Sequence, residues 1–300
     1  MPLSMGLKTA GGLKILLFVL IFISQSHQTE YFTESPPAFA ENLTFFASFD
    51  DGFHANFSVG DSLFYSAPSW SNRENYEILT APNDHVQIHD GEGRFKNALW
   101  IDNSYTPVYF FKGEQNIEYL SKNWSGTVSF WLRLSPDQDL PDGFSDPIQI
   151  TASAWNDGAL FVDFTDEIPR IFRFAFFPDR EVWDPDYRDW DDIPVYERPM
   201  VNMPDHPFQN DRWTHVAFSF QKFNSFEDNG SVSCFVDGEY VGSLENRTQT
   251  INWNPDEIAI WLGYNFRGYF DELSIFNKAF DHDEIRKLYS LENGISDLLN

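Results

Sequence analysis

Cysteine and basic residues are scarce in this chain of 300 residues. Cys234 is its one cysteine, so no intrachain disulfide can form and a large core must hold the fold together. Lysine and arginine together number 20, against 46 aspartates and glutamates, which gives a formal net charge of −26 at pH 7. Because a field of this sign repels phosphate backbones, it argues against nucleic acid as a partner.

Long apolar runs are missing as well. The apolar run at residues 15–23 is shorter than a bilayer-spanning helix requires. Lys8 and Lys14 precede it and small residues at 24–26 follow it, which is the arrangement of a secretory signal peptide over residues 1–26. We therefore predict a secreted or otherwise extracytoplasmic protein with no stable membrane insertion after signal cleavage. An uncleaved anchor is the alternative interpretation.

Phenylalanine, in contrast, is abundant, with 31 residues. Apolar residues alternate with polar ones along 43–49, 127–134 and 212–220, which is the period of half-buried strands. Asp237-Gly238 separates two such runs and is a strong signal for a two-residue hairpin turn. Many short strands and little helix predict an all-β fold, a two-sheet antiparallel β-sandwich.

The two ends of the predicted domain carry different signals. Residues 27–42 are polar and contain proline, which is typical of a linker. Near the other end, Asp281 and Glu284 form the pattern of a capping box, and Ile285, Leu288 and Tyr289 form one apolar face, so a short C-terminal helix is predicted there. The β-sandwich domain is accordingly placed at residues 43–292.

One segment interrupts the rhythm of strands and turns. Residues 177–211 contain six prolines and an acidic, aromatic run, and the segment is too long for a hairpin loop. We call it the insertion. Its acidic residues predict either a solvated loop or a second calcium site, and long structured loops are often functional. These acidic residues are Asp184, Asp186, Asp189, Asp191 and Asp192.

Short motifs in order along the chain resemble the laminin-G-like family of the concanavalin A-like lectin/glucanase superfamily, whose members fold as jelly rolls. They span most of the chain after the predicted signal peptide, and each is weak by itself. The motifs lie at residues 49–51, 93–100, 128–132, 213–217, 235–238 and 270–273. The insertion is the main departure from the family pattern.

The resemblance implies a structural calcium ion between the first and last strands. One ligand would be the side chain of Asp271, and backbone carbonyls near Asp50 and Gly93 would supply others. Calcium prefers six to eight hard oxygen ligands, many of them backbone carbonyls. In the alternative interpretation, Asp271 only accepts hydrogen bonds from backbone at the end of a strand.

Aromatic residues of the insertion are the predicted ligand-binding site. Sugar rings stack their C–H faces on aromatic side chains, while nearby carboxylates accept hydrogen bonds from hydroxyl groups. The alternative is that these aromatics only pack the insertion against the sandwich. The predicted site consists of Trp183, Tyr187, Trp190 and Tyr196, and further platform candidates are Trp70, Trp155, Trp253 and Trp261.

Catalytic signatures are absent from the sequence. Laminarinase-like relatives carry Glu-x-Asp-x-Glu on one strand, and this pattern does not occur here. Asp271 and Glu272 are adjacent, so a regular strand would point them to opposite faces. We therefore predict a non-catalytic binding module for carbohydrate or another extracellular ligand. A protein–protein adhesion or scaffold module, or a polysaccharide hydrolase or lyase, remains the alternative.

Overall fold

The computed structural model describes residues 39–299. The predicted signal peptide and the predicted linker up to residue 38 lie outside the described residues. Residues 39–42, the end of that predicted linker, form a short helix, and Phe39 is buried against Phe276 and Phe280. No helix within residues 39–299 has the length and apolar character needed to cross a membrane.

Seventeen strands form along the described residues. In chain order they are β1 (Leu43–Ala47), β2 (Phe57–Ser58), β3 (Phe64–Ala67), β4 (Glu77–Ile78), β5 (Val86–His89), β6 (Ala98–Asp102), β7 (Val108–Lys112), β8 (Trp124–Arg133) and β9 (Ser145–Ala154). They continue as β10 (Asp157–Phe164), β11 (Phe172–Phe177), β12 (Met200–Met203), β13 (Thr214–Phe223), β14 (Gly230–Val236), β15 (Glu239–Arg247), β16 (Ala259–Tyr264) and β17 (Arg267–Phe276).

The strands assemble into two antiparallel sheets, as the sequence predicts. The first sheet has nine strands, with the order β15-β14-β13-β8-β17-β1-β2, and β6 pairs with both β17 and β5. The second has eight strands, in the order β12-β11-β10-β9-β16-β7-β3-β4. This arrangement of two sheets over one core is that of a jelly-roll sandwich.

Strand β17 joins the two ends of the domain. Its first half pairs with β6 and its second half with β1, so the last strand lies beside the first. The hydroxyl of Thr44 donates a hydrogen bond to the carbonyl of Ile275 over 3.1 Å, across 231 positions of sequence. The central ladder of the first sheet therefore depends on contacts between residues far apart in the chain.

Helices are short. They are α1 (Phe39–Asn42), α2 (Pro136–Asp139), α3 (Arg180–Trp183) and α4 (His282–Tyr289), and single 3₁₀ turns lie at Trp70–Asn72, Trp190–Asp192, Pro255–Glu257 and Gly294–Leu298. The predicted capping box is confirmed at α4, where Asp281 accepts from the Glu284 amide and Glu284 accepts from the Asp281 amide. The predicted hairpin is also confirmed, because Asp237 and Gly238 both adopt positive φ between β14 and β15.

Phenylalanine rings fill the space between the sheets. Phe45 of the first sheet meets Phe111 of the second at a centroid distance of 4.8 Å, and Phe176 meets Phe218 at 5.2 Å. A second apolar cluster lies on the outer face of the first sheet, where α1 and α4 cover Phe46, Phe235 and Phe276. One apolar cluster thus lies between the sheets and another covers the outer face of the first sheet. The remaining face is the outer face of the second sheet.

Candidate binding site

A cavity of about 430 Å³ opens on the outer face of the second sheet. Its floor is built by β9, β10 and β11, and two groups of aromatic side chains form its walls. Polar groups in the floor are few. Ligand pockets of this size are typically apolar with a small number of polar groups that orient the ligand, so this cavity is the candidate binding site.

An irregularity in β9 directs Asp146 into the floor. Ile148 belongs to the core, so strict alternation would also turn Asp146 inward. Instead, Ser145 pairs with Phe164 and Ile148 with Val162, so β9 holds one more residue than β10 over this stretch. Such a β-bulge re-aims a side chain, and Asp146 lines the outer cavity.

Next to Asp146, an ion pair occupies the floor. Arg173 on β11 is the register partner of Asp163 on β10. Its Nε donates to Oδ1 of Asp163 over 2.8 Å, and its Nη2 donates to Oδ2, so both carboxylate oxygens are held by one guanidinium. The same guanidinium lies 5.0 Å from the ring centroid of Phe144. Bidentate pairs of this kind fix geometry as well as charge.

The pKa values of both carboxyl groups in the floor are raised, because their charged forms are poorly stabilised there. Burial raises the pKa of Asp146 well above its ordinary value, and the neighbouring Asp163 raises it further. Burial also raises the pKa of Asp163, although the hydrogen bonds from Arg173 act in the opposite direction. The floor therefore holds two carboxyl groups and one cation, and the cation is committed to one of them.

Asp146 and Gln149 are the polar groups of the floor that a ligand can reach. Asp146 is 8% exposed and Gln149 3%, yet both line the cavity. Within residues 39–299, neither the Asp146 carboxyl nor the Gln149 side-chain amide forms a hydrogen bond or ion pair with another group of the protein. Since buried polar groups are normally paired, these two are available to a bound molecule.

One wall of the cavity comes from the first half of the chain and from β16. Trp70 packs on Trp261 at a centroid distance of 4.4 Å and meets Tyr264 at 6.3 Å. Tyr105 meets Tyr264 at 5.1 Å. Trp261 is buried beneath this group and is a platform for Trp70, so it supports the wall from behind.

The opposite wall comes from the β9–β10 turn and the insertion. Trp155 meets Trp190 of the insertion edge-on at a centroid distance of 5.2 Å. Arg198 lies 4.1 Å from the centroid of Trp190 and donates to its backbone carbonyl, which fixes the ring in place. Met200 on β12 completes this wall. The insertion thus folds over the outer face of the second sheet.

The other predicted ligand-binding residues lie away from the cavity. Trp183 packs on Phe177 at 4.9 Å, and its Nε1 donates to the Asn156 carbonyl. Tyr187 and Tyr196 are 60% and 80% exposed, and neither lines the cavity. Of the four predicted residues, the structure therefore brings Trp190 alone to the cavity, together with Trp70 and Trp155 from the further candidates.

The acidic residues of the insertion divide into two kinds. Asp184 is fully buried and pairs with both Arg180 and Arg188, so it ties the insertion together. The other four, Asp186, Asp189, Asp191 and Asp192, are exposed. This arrangement fits a solvated loop with one internal anchor.

The three predicted metal residues meet at the loop of residues 91–97. The amide of Arg94 donates to Oδ2 of Asp271 over 2.6 Å, and the Asn97 amide donates to Oδ1 of Asp50 over 3.1 Å. Gly93 lies so close to Asn97 that a Cβ there would sit 2.2 Å from the Asn97 carbonyl oxygen. Among residues 39–299, no three His, Cys, Asp or Glu side chains form a metal-holding group.

Next to this loop, Asp271 and Glu272 differ from the sequence-based expectation. Phe270 and Leu273 both belong to the core, so the two residues between them turn outward together. Glu272 has a φ of 54° and the register with β8 shifts at this point, which identifies a bulge. Burial raises the pKa of Asp271 well above its usual range, and that of Glu272 to about 8.

Sequence reasoning missed Asp146, Gln149, Asp163 and Arg173. A signal for two of them is present, since Asp163 and Arg173 are single charges of opposite sign inside apolar strands. Their pairing depends on the register of β10 against β11, which alternation alone does not give. The direction of Asp146 depends on the bulge in β9, and Pro147 is its mark in the sequence, because proline inside a central strand is found at bulges.

Comparisons with known proteins agree with this architecture. The Laminin_G_3 family model, described as the concanavalin A-like lectin/glucanases superfamily, matches residues 98–286. None of the curated proteins compared with the chain matches it.

Among solved structures, domain 4 of AbnA, an extracellular GH43 arabinanase from Geobacillus stearothermophilus solved with arabinotriose, aligns with a TM-score of 0.52 at 14% identity, covering 83% of this chain and 98% of that one. The binding domain of botulinum neurotoxin DC in complex with rat synaptotagmin II aligns with a TM-score of 0.55 at 12% identity, covering 84% of this chain and 52% of that one. A structure of botulinum neurotoxin type C, whose cell entry depends on two ganglioside molecules, gives 0.55 at 12%, covering 85% and 52%. At these identities the likeness is one of fold.

Proposed function

Because this chain belongs to the concanavalin A-like lectin/glucanases superfamily, we propose that it is a non-catalytic module that binds carbohydrate in the cavity of the second sheet. The observation that carries the proposal is the cavity itself. It combines aromatic walls with two unpartnered polar groups, Asp146 and Gln149, in its floor. Aromatic faces suit the C–H faces of a sugar ring, and the polar floor suits its hydroxyl groups.

The size of the cavity supports a small ligand. A volume of about 430 Å³ lies within the usual range of small-molecule sites, roughly 300–1,000 Å³, which fits one or two sugar rings. Trp155 is 42% exposed and Tyr105 45%, so the rim presents aromatic surface to a longer chain of sugars. An oligosaccharide would place one residue in the floor and stack others along this rim.

The absence of catalysis is part of the proposal. Hydrolysis with retention needs one carboxylate free to attack and a second carboxyl to donate a proton. Both oxygens of Asp163 are held by Arg173, so Asp146 is the one free carboxyl group in this floor. The alternative of a hydrolase rests on the same two residues, Asp146 and Asp163, and release of reducing ends from a polysaccharide would support it instead.

The test is a binding titration of the wild type and variants against a panel of soluble oligosaccharides. Trp155→Ala and Trp190→Ala each remove one aromatic ring from the same wall, and we expect each to weaken binding by roughly tenfold or more, as the loss of an aromatic hot spot does. Tyr196→Ala is the matched control, because Tyr196 belongs to the insertion, is 80% exposed and lies outside the cavity.

The outcomes separate the alternatives. If Tyr187→Ala and Tyr196→Ala abolish binding while Trp155→Ala has no effect, the ligand binds the exposed side of the insertion and the cavity is not the site. If no oligosaccharide of the panel binds the wild type, the carbohydrate proposal fails. A protein-binding adhesion or scaffold module would then be the function to test.

A structural calcium ion remains a proposal for the loop of residues 91–97. Its support is the pair of buried carboxyl groups of Asp271 and Glu272, whose pKa values are raised chiefly by burial, since a cation beside them would relieve that cost. The competing observation is that Lys96 already lies 3.1 Å from Asp50 and that both oxygens of Asp271 accept backbone amides.

Thermal unfolding in calcium and in chelator tests the calcium proposal. We expect calcium at a hundredfold excess over its dissociation constant to stabilise the wild type by about 2.7 kcal/mol, and Asp271→Ala to abolish that increment. Asp102→Ala removes an exposed carboxylate and is the control, for which the increment should persist. A melting temperature of the wild type that is equal in both buffers would reduce Asp271 to an acceptor of backbone hydrogen bonds.

A further inference from the structure

The floor of the cavity holds one more carboxyl group than cations. Two carboxyl groups, Asp146 and Asp163, face a single cation, Arg173. Arg173 commits both Nε and Nη2 to Asp163, so Asp146 has no cationic partner in contact among the described residues. Charged groups buried to this degree are normally paired, which makes Asp146 an open position for a positive charge.

The walls are suited to the same kind of group. An ammonium ion is attracted to the face of an aromatic ring within about 6 Å of its centroid. Trp70, Tyr105 and Tyr264 lie on one side of the floor, and Trp155 and Trp190 on the other. An arrangement of several aromatic rings around one carboxylate is the kind of site that recognises a cationic ligand.

We propose that the sugar bound in this cavity carries a free ammonium group, so that the module selects glycans built from non-acetylated amino sugars. This inference rests on the proposed function and narrows its ligand class. The ammonium group would contact the carboxylate of Asp146, the amide of Gln149 would hydrogen-bond a neighbouring hydroxyl, and the sugar ring would lie between the aromatic walls.

Acidic sugars fit this site poorly. A carboxylate or sulfate in the floor would face Asp146 directly, while the one cation nearby, Arg173, is engaged by Asp163. Like charges at short range in a poorly solvated site repel strongly. The chain as a whole carries a formal charge of −26, so polyanions are repelled on approach as well.

The electrostatics of Asp146 support the pairing. Burial and the neighbouring Asp163 raise its pKa, which means that its charged form lacks stabilisation in the empty cavity. A bound ammonium group supplies that stabilisation through a charge-assisted hydrogen bond. Since hydrogen bonds to charged groups are roughly twice as strong as those between neutral groups, they are strong enough to separate an amine from its amide.

The experiment compares two tetrasaccharides of the same linkage, glucosamine and N-acetylglucosamine, by titration calorimetry at near-physiological salt and at a pH where the amine is charged. We expect the wild type to bind the amine form at least roughly tenfold more tightly. In Asp146→Asn, which keeps the shape of the side chain, that ratio should fall to about one. Asp166→Asn removes one exposed charge outside the cavity and should leave the ratio as it is.

The control distinguishes a specific contact from general attraction. Both substitutions replace one carboxyl group with an amide, so a ratio that falls to the same extent in both would mean bulk electrostatic attraction and would overturn the inference. If Asp146→Asn does not fold, free glucosamine and free N-acetylglucosamine are compared as competitors that displace the glucosamine tetrasaccharide from the wild type. Stronger competition by glucosamine supports the proposal, and equal competition refutes it.

The remaining outcomes separate this inference from the proposed function. Equal binding of the two tetrasaccharides, or binding of only neutral or acidic glycans from the wider panel, overturns the choice of amino sugars and leaves the carbohydrate-binding module standing. Binding of an oligolysine peptide that depends on Asp146, with no binding of either tetrasaccharide, would show that the cation belongs to a protein. Silence of the whole glycan panel would remove both proposals.

Discussion

Replacing Arg173 with methionine lowers the free energy of unfolding by about 3–5 kcal/mol, the usual cost of removing one partner from a buried ion pair. The Asp163 side chain is 4% exposed and that of Arg173 is 11%. Methionine retains most of the apolar volume of arginine, so the loss is mainly electrostatic. Asp163 would then stand beside Asp146 with no cation in the floor. Urea unfolding at neutral pH measures the effect.

A solvent-exposed pair on the first sheet provides the control for this prediction. Arg267 pairs with Asp102 through side chains that are 50% and 44% exposed. Because exposed pairs contribute only about 0–1 kcal/mol, Arg267→Met should change stability little. Equal effects of the two substitutions would contradict the assignment of Arg173 and Asp163 as a buried pair.

The cost of Arg173→Met should also depend on pH. Without the guanidinium, the folded-state pKa of Asp163 rises further above its unfolded value, so the folded variant retains a proton that the unfolded chain releases. Stability is then lost as pH rises and recovered as the buried carboxyl groups become protonated. The gap between variant and wild type should therefore narrow in mildly acidic buffer, and a gap independent of pH would indicate a packing defect instead.

Substituting His215 with glutamine removes a large part of the acid sensitivity of the fold. His215 is 1% exposed, and its Nε2 lies 2.8 Å from the hydroxyl of Ser129. Burial lowers the pKa of this imidazole from 6.5 to about 3, and Arg94 adds to the effect. The folded protein thus keeps His215 neutral at pH values where the unfolded chain protonates it.

The sign of the pH dependence follows from that difference. Between pH 6.5 and about 3 the unfolded chain binds more protons at this position, so stability falls as the solution becomes more acidic. At about 1.4 kcal/mol per pKa unit the full contribution is roughly 4–5 kcal/mol. His215→Gln has a constant cost but no titration, so its stability should decline less steeply than that of the wild type over this range.

Unfolding curves at several pH values measure the two slopes. A second observation is independent of the variant's absolute stability: one imidazole signal in the NMR spectrum of the wild type should not titrate near pH 6.5, and it should be missing from His215→Gln. Parallel stability curves for both proteins would mean that water or a rearrangement lets the folded state protonate His215.

The sequence predicts the elements whose signals are local. The capping box of α4, the Asp237-Gly238 hairpin and the alternating strands depend on residues close together in the chain, and all are confirmed. The two-sheet sandwich is confirmed as well, because a chain of many amphipathic strands with few helices has few ways to bury its apolar faces.

The candidate site is predicted less well, since it depends on register and on bulges. The bulge in β9 turns Asp146 outward and the bulge in β17 turns Asp271 and Glu272 the same way, and one residue more or less in a strand reverses every side chain beyond it. Trp190 lines the cavity, whereas Tyr187 and Tyr196 are exposed and lie outside it. Their role in binding, the calcium ion and the signal peptide stay predictions.

The pairing of β1 with β17 has a consequence for the order in which the protein can fold. The first sheet lacks the strand between β1 and β8 until residues 267–276 have been synthesised. Contacts that span 231 positions close late, because the entropy of a long loop must be overcome before they form. A nascent chain therefore has an incomplete first sheet until β17 has been added, and the unpaired edges of β1 and β8 stay open to chaperones until then.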